Sequence, residues 1–401
     1  MRRVSDWIEG WKTYREEYGE APFLYNDWVA VSIIAAVLQR KTWLPWDKKI
    51  YPNFYIVLIG PAGVRKGEAM TPGNKLLRDM GIKLTAESTT REALIRHLKL
   101  TGTDQDAAGF IDEDGIYKTY SALTIYSEEF TTFIGYNNRL LMADLAGWWD
   151  CPNTWTYDTK NKGKDVIEGV YVNLIGATTP EIFRRALPED AVGGGLLSRT
   201  ICVFEEQKGQ IVIFPTEGDP KLREDLFADL FEIYKITGPF SYNNDFKAKY
   251  ADWYPTQHLH INFDDPKLAA YIQRRSTHLR KLCMVMNAAR GGDKILTGED
   301  FDRSLDLLKR TEKNMPKTFA GFGASDKSEV LHNIAQFIYI KKEVYFSDLM
   351  KRFMADVGKD ELIQCIATLE VSGLIEKISI QDTKGNIMVN NFKVRYKEAS
   401  K

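Results

Sequence analysis

The sequence predicts a three-layer α/β domain on a largely parallel sheet, followed by a helical segment and a small C-terminal module. Three observations carry this. Four apolar runs rich in β-branched residues, FYIVLIG (54–60), SALTIYSEEF (121–130), VYVNLIGATTPE (170–181) and RTICVF (199–204), alternate with helical stretches, as buried parallel strands do. From about residue 216 helical patterns dominate. After FAGFGASDKS, a Gly- and Ser-bearing linker, three helices precede two strand-like runs flanking DTKGN.

In chain order, residues 22–40 read as a buried helix opened by Asn26 or Asp27, with WVAVSIIAAVL too short to span a bilayer. FYIVLIG is the first strand. The stretch after it is a poor helix, since Pro72 and Gly73 interrupt it, with helical turns expected through Leu77. IKL gives a short strand, and Thr89 with Glu92 three residues on caps the next helix. TGTDQDAAGFIDEDGIYKTYS is a loop or hairpin, and WTYDTKNKGKDVIEGVYV alternates down to a turn at 161–163 and back. In the helical segment HLHINF is the one β piece, with His258 and His260 on one face. The divisions are 1–50, an N-terminal helical segment; 51–215, the α/β core; 216–323, the helical segment; and 325–401, the C-terminal module.

Composition narrows the function. With 27% charged residues and a net charge of −1, the 401-residue chain is not a uniformly basic nucleic-acid binder, so any such contact must be local. Cys151, Cys202, Cys283 and Cys365 lack metal or disulfide spacing and read as buried thiols of a reducing cytoplasm. The first residues carry tryptophans and acids where a signal peptide needs an apolar stretch, so a cytoplasmic protein without a membrane partner is expected.

The chemistry begins after the first strand. Gly60-Pro61-Ala62-Gly63-Val64-Arg65-Lys66-Gly67-Glu68 follows GxxxxGK[ST] except at Arg65, where a glycine is expected, and at Gly67, where a hydroxyl is. Such a turn wraps phosphate in backbone amides, points a helix N-terminus at it and adds the Lys66 charge. Glu128 and Glu129 end the second long run, where one carboxylate can hold Mg²⁺ through water and the other can activate the attacking water. Thr178 and Thr179 end the third, at the place of a γ-phosphate sensor. Arg199, behind a triple glycine, can serve a neighbour's nucleotide as an arginine finger. Lys160, Lys162 and Lys164 crowd the tip of the hairpin at 155–172, fit for the phosphates of a nucleic-acid strand.

In this order these motifs resemble the phage and plasmid P-loop ATPases related to primase-helicases, within the AAA+ and superfamily-three-like group. The resemblance covers roughly 22–204 and more loosely the helical segment to about 318. It implies a P-loop AAA+-like core, a helical lid and, with the C-terminal order of elements, a winged-helix domain. It also implies ATP and Mg²⁺ as cofactors, with Lys66 as Walker A lysine, Glu128 and Glu129 as Walker B acids, and Thr178 or Thr179 as first sensor. Arg199 matches the finger, Lys160 to Lys164 match the channel hairpin, and Arg280, with Arg290 the alternative, is the lid's sensor. The expected function is a ring-forming motor, a hexamer by analogy, that translocates on single-stranded DNA as a replicative helicase in a bacterial host cell, beside a primase or other replisome proteins. The alternative is an ATP-binding initiator or helicase loader with slow hydrolysis. Gly67 motivates the alternative, since Glu68 stands where a shifted hydroxyl could follow, and the metal is left short of a ligand.

Overall fold

Four fully buried strands lie side by side and parallel in the order Thr200–Phe204, Tyr55–Ile59, Tyr171–Thr178, Ala122–Ser127. They are called here the edge strand, the loop strand, the threonine strand and the acid strand. A parallel bridge from Leu84 to Thr124 adds one rung beyond the acid strand, where IKL predicted a strand. Ile59 of the loop strand is level with Thr178 on one side and Phe204 on the other. The loop, the threonines and the acids therefore leave the sheet at one edge.

Alternation along the strands covers both faces. Tyr171 and Asn173 point one way, donating to Ala35 O at 2.6 Å and Ser32 O at 3.2 Å in the helix Phe23–Leu38. Tyr55, level with Leu174, points the other way and donates to Leu145 O at 2.8 Å in the helix Arg139–Trp149. The domain is mixed α/β with helices on both faces of a parallel sheet.

The computed structural model describes residues 2–86, 88–104, 107–111, 115–159, 163–188, 194–260, 268–319, 326–354, 356–381 and 387–397. It divides into two compact units, Met1–Ala320 and Gly321–Lys401. In the first, helices Pro220–Tyr234, Asn244–Trp253, Ala269–Ala289 and Gly298–Asn314 follow the sheet in sequence. Trp28 in the Phe23–Leu38 helix donates to Thr311 Oγ1 at 2.7 Å, and Arg275 pairs with Glu312 at 2.6 Å with both side chains buried. In the second unit, helices Asp326–Lys341, Phe346–Phe353 and Lys359–Val371 pack with a three-stranded antiparallel sheet, Glu343–Tyr345, Ile387–Tyr396 and Ile375–Gln381.

Several local expectations are corrected. The helix at 23–38 starts after Pro22 with no side-chain cap, and Asn26 and Asp27 lie buried inside it, Asp27 paired with Arg310 at 2.7 Å. Pro72 and Gly73 do not interrupt the helix after the loop, which runs Lys66–Asp79. A Cβ at Gly73 would come within 2.7 Å of Tyr126 Oη and 3.0 Å of Ile33, so this glycine lets the helix approach the acid strand. Thr90 rather than Thr89 caps the helix Arg91–Thr101, accepting from Ala93 N at 3.2 Å. His258 lies in 3-10 turns, Tyr254–His260, not in a strand, and the INF of HLHINF lies outside the described residues. All four cysteines are free and buried. Among the described residues no helix is long and apolar enough to cross a membrane.

Candidate functional site

The loop at residues 60–65 is shaped by three unlike constraints. A Cβ at Gly60 would collide with Glu205 O and come within 2.6 Å of Tyr25 Oη, so only glycine fits where the loop leaves the sheet. Gly63 has φ +83° with open space around it. Arg65 has φ +69° and ψ +32°, the left-handed region, which explains why the pattern has glycine there. Its side chain is anchored, with Nη2 2.6 Å from Glu20 Oε2. Glu20 also pairs with Lys208 at 2.7 Å, and these two cations, Lys208 foremost, hold its carboxyl down at about 2.

Arg65 is the N-cap of the helix Lys66–Asp79 and makes no side-chain cap bond, so the first-turn amides keep their anion affinity. Half-buried Lys66 donates to Gly60 O at 2.7 Å and Pro61 O at 2.9 Å, folding its ammonium back over the loop. Burial lowers its pKa, while the carboxylates of Glu129 and Glu181 counter that shift. Glu181, in the helix Pro180–Ala186 after the threonine strand, is a third acid at this edge that the sequence reading missed.

The two predicted acids have separate surroundings. Exposed Glu129 makes no side-chain cap bond to the short helix it precedes, and its charge favours the protonated Lys66. Exposed Glu128 accepts from Thr71 Oγ1 at 2.9 Å, and its Oε2 lies 3.5 Å from where a Cβ of Gly67 would be. Thr71, also missed, stands one helical turn after Gly67. Glu68 turns elsewhere and accepts from Glu20 N at 2.6 Å. The threonines divide too. Thr179 caps the next helix by accepting from Ile182 N at 3.4 Å, whereas buried Thr178 lies beside the loop, its carbonyl accepting from Gly60 N.

The remaining candidates are not brought to this edge. Arg199 precedes the edge strand, whose first residue is level with Tyr55, so it sits at the opposite end of the sheet. It donates to Asp150 Oδ2 at 2.8 Å and to Gly195 O at 2.7 Å, and it shares the Trp149 ring with Arg274 and Lys281. Asp150 is the carboxylate of this cluster and takes Lys48 as well, at 3.2 Å. Buried Arg280 lies over Trp46 at 4.6 Å, and its neighbour Lys281 bonds Asn53, just before the loop strand. Arg290 pairs with Asp300 at 2.7 Å. Of this segment's other cations, Lys317 pairs with Glu206, just after the edge strand, at 3.1 Å, and Arg223 pairs with Asp79 at the end of the loop helix at 2.6 Å. The hairpin Thr154–Thr159 with Gly163–Glu168 leaves from the far end, where Ser121 N meets Glu168 O. Exposed Lys164 is level with Asp158; Lys160 and Lys162 lie outside the described residues.

Of the cavities, one of about 260 Å³ adjoins the loop helix, walled by Tyr14, Arg15, Thr71, Pro72 and Lys75. A larger one, about 630 Å³, opens at the far end between Arg40, Trp43, Phe110, Lys118 and Glu168, away from the loop. Among the described residues no group of three or more His, Cys, Asp or Glu side chains could hold a metal alone. The donors at the loop edge still suit a magnesium nucleotide: a cradle closed to any Cβ at Gly60, free helix-start amides, an ammonium, and carboxylate and hydroxyl oxygens. No family model and no curated protein matches the chain.

Proposed function

We propose that this protein is a P-loop ATPase with an AAA+-like core, a helical lid and a C-terminal winged helix, acting as a ring-forming motor on single-stranded DNA. One observation carries the reading. The glycine loop with Lys66, the paired acids and Thr178 come from three separate strands to one sheet edge. In open parallel sheets ligands bind beyond the carboxyl ends where strand order reverses. Here the chain crosses the loop strand between the threonine and edge strands.

Bound ATP with Mg²⁺ supplies the phosphoanhydride that is broken. The loop amides and Lys66 hold the phosphates and offset negative charge as it grows. Glu129 orients the attacking water and takes its proton; Glu128 serves the metal side; Thr178 lies level with the loop and reports its occupancy. Arg199 acts on a neighbour's site, since its own loop is at the other end of the sheet, and the hairpin with Lys164 contacts the strand. Arg280 is not proposed as a sensor because it is packed over Trp46 away from the loop.

A second reading, an initiator or loader with slow hydrolysis, is favoured by the Arg199–Asp150 ion pair, which holds the finger on its own subunit. The test is DNA-stimulated ATP hydrolysis together with strand separation by purified protein. A motor hydrolyses ATP and unwinds many base pairs, and Lys66→Ala abolishes both. Hydrolysis without unwinding supports the second reading, and activity untouched by Lys66→Ala overturns both. For the C-terminal unit, loss of salt-dependent DNA affinity on its removal assigns it to DNA; an unchanged slope assigns it to protein docking.

A further inference from the structure

We propose that Thr71 supplies the hydroxyl missing at Gly67, so that Thr71 and Glu128 together hold the divalent cation of the nucleotide. This rests on the nucleotide reading of the loop. The sequence is one oxygen short at position 67, and the structure brings an oxygen from the next turn.

Helical side chains lean toward the N-terminus, so a residue covers the turn before its own. Thr71 does so here, with Oγ1 2.8 Å from Gly67 O and 2.9 Å from Glu128 Oε1. Glu128 Oε2 lies 3.5 Å from the Cβ that Gly67 lacks, so position 67 and Thr71 address the same carboxylate. A hydroxyl has one proton and two lone pairs. Its proton serves only one of its two acceptors at a time, and lone pairs remain for a cation or a water in its shell. Thr71 and Glu128 are both exposed, so their oxygens are accessible to hydrated Mg²⁺, which keeps several waters and takes one or two carboxylates from a protein.

Two neighbouring features leave Thr71 as the hydroxyl of this helix start. Thr71 precedes Pro72, which cannot donate to Glu68 O, yet the helix continues. Glu68, the residue where a shifted hydroxyl could have stood, is committed to the amides of Glu20 and Ala21.

The test uses the full chain, Mn²⁺ affinity read by electron paramagnetic resonance in the presence of ADP, and fluorescent ATP titrated with and without Mg²⁺. Thr71→Val keeps the shape and removes the hydroxyl. It is expected to weaken Mn²⁺ binding about tenfold or more and to shrink the gain in nucleotide affinity that Mg²⁺ brings. Thr71→Ser is expected to bind Mn²⁺ like the native chain, and Gly67→Ser added to Thr71→Val to restore the loss. Native Mn²⁺ affinity in Thr71→Val overturns the proposal, as does a Thr71→Ser variant that fails as Thr71→Val does, since the threonine is then only a helix residue. No binding of fluorescent ATP to the native chain, with or without metal, overturns the reading of the loop itself, which is a different result.

Discussion

The two ends of the central sheet both carry buried or half-buried cations but treat them differently. At the far end three of them reach oxygens distant in the chain: Arg40 donates to Cys151 O, Val170 O and Asn153, Lys281 to Asn53, and Arg199 to Asp150. At the loop end Lys66 rests on two carbonyls of its own loop, Glu128 and Glu129 are exposed, and Arg65 sits in the left-handed region. Under the proposed function, the far end is organised chiefly for the fold and the loop end for the nucleotide. Only Arg199 complicates the contrast, since its partner Asp150 is shared with Lys48 and its neighbour Arg274 brings further positive charge.

The contrast holds if far-end variants cost stability while Lys66 variants do not, and it breaks if the two behave alike. Arg40→Met leaves the buried carbonyls of Cys151 and Val170 without this donor and is expected to lower unfolding free energy by about 2–3 kcal/mol, measured by urea denaturation. Lys66→Ala is expected to reduce ATP hydrolysis by about 100- to 1,000-fold while leaving the urea midpoint nearly unchanged. Gly73→Ala, forced against Tyr126 Oη, is expected to destabilise by about 1–3 kcal/mol through overpacking.

The smallest effect sharpens the contrast by pH. Glu20 has a folded-state pKa of about 2 against 4.5 ordinarily. A depressed acid contributes stability that is full above its unfolded value and is lost as pH falls toward its folded value. The gap in urea midpoint between the native chain and Glu20→Gln is therefore expected to hold steady above about pH 5 and to close between 4.5 and about 2. A gap that persists at low pH would assign the effect to packing.

How far the sequence reached follows the same divide. The four strands were legible because each is a continuous apolar run bounded by polar residues. The acids and threonines were legible because they end such runs. Pro72 and Gly73 read as breakers because local propensity cannot see the close approach to Tyr126 and Ile33. The cap slipped by one residue because two threonines stand together and either can accept from the first turn. Arg280 was misplaced because a helix pattern gives its buried face but not which end of the sheet that face meets. Thr71 was invisible, since its partner Glu128 is 57 residues away and the pairing exists only after the sheet brings them together.

The central claim is that one subunit's loop end works with another's far end. The direct measurement mixes two inactive variants, Lys66→Ala and Arg199→Ala, and follows DNA-stimulated ATP hydrolysis. In a mixed ring some interfaces pair an intact Lys66 loop with an intact Arg199 from the neighbour, so the account predicts that activity returns on mixing. A mixture as inactive as its parts, with mixed assembly shown by pull-down between the two tagged variants, would contradict it.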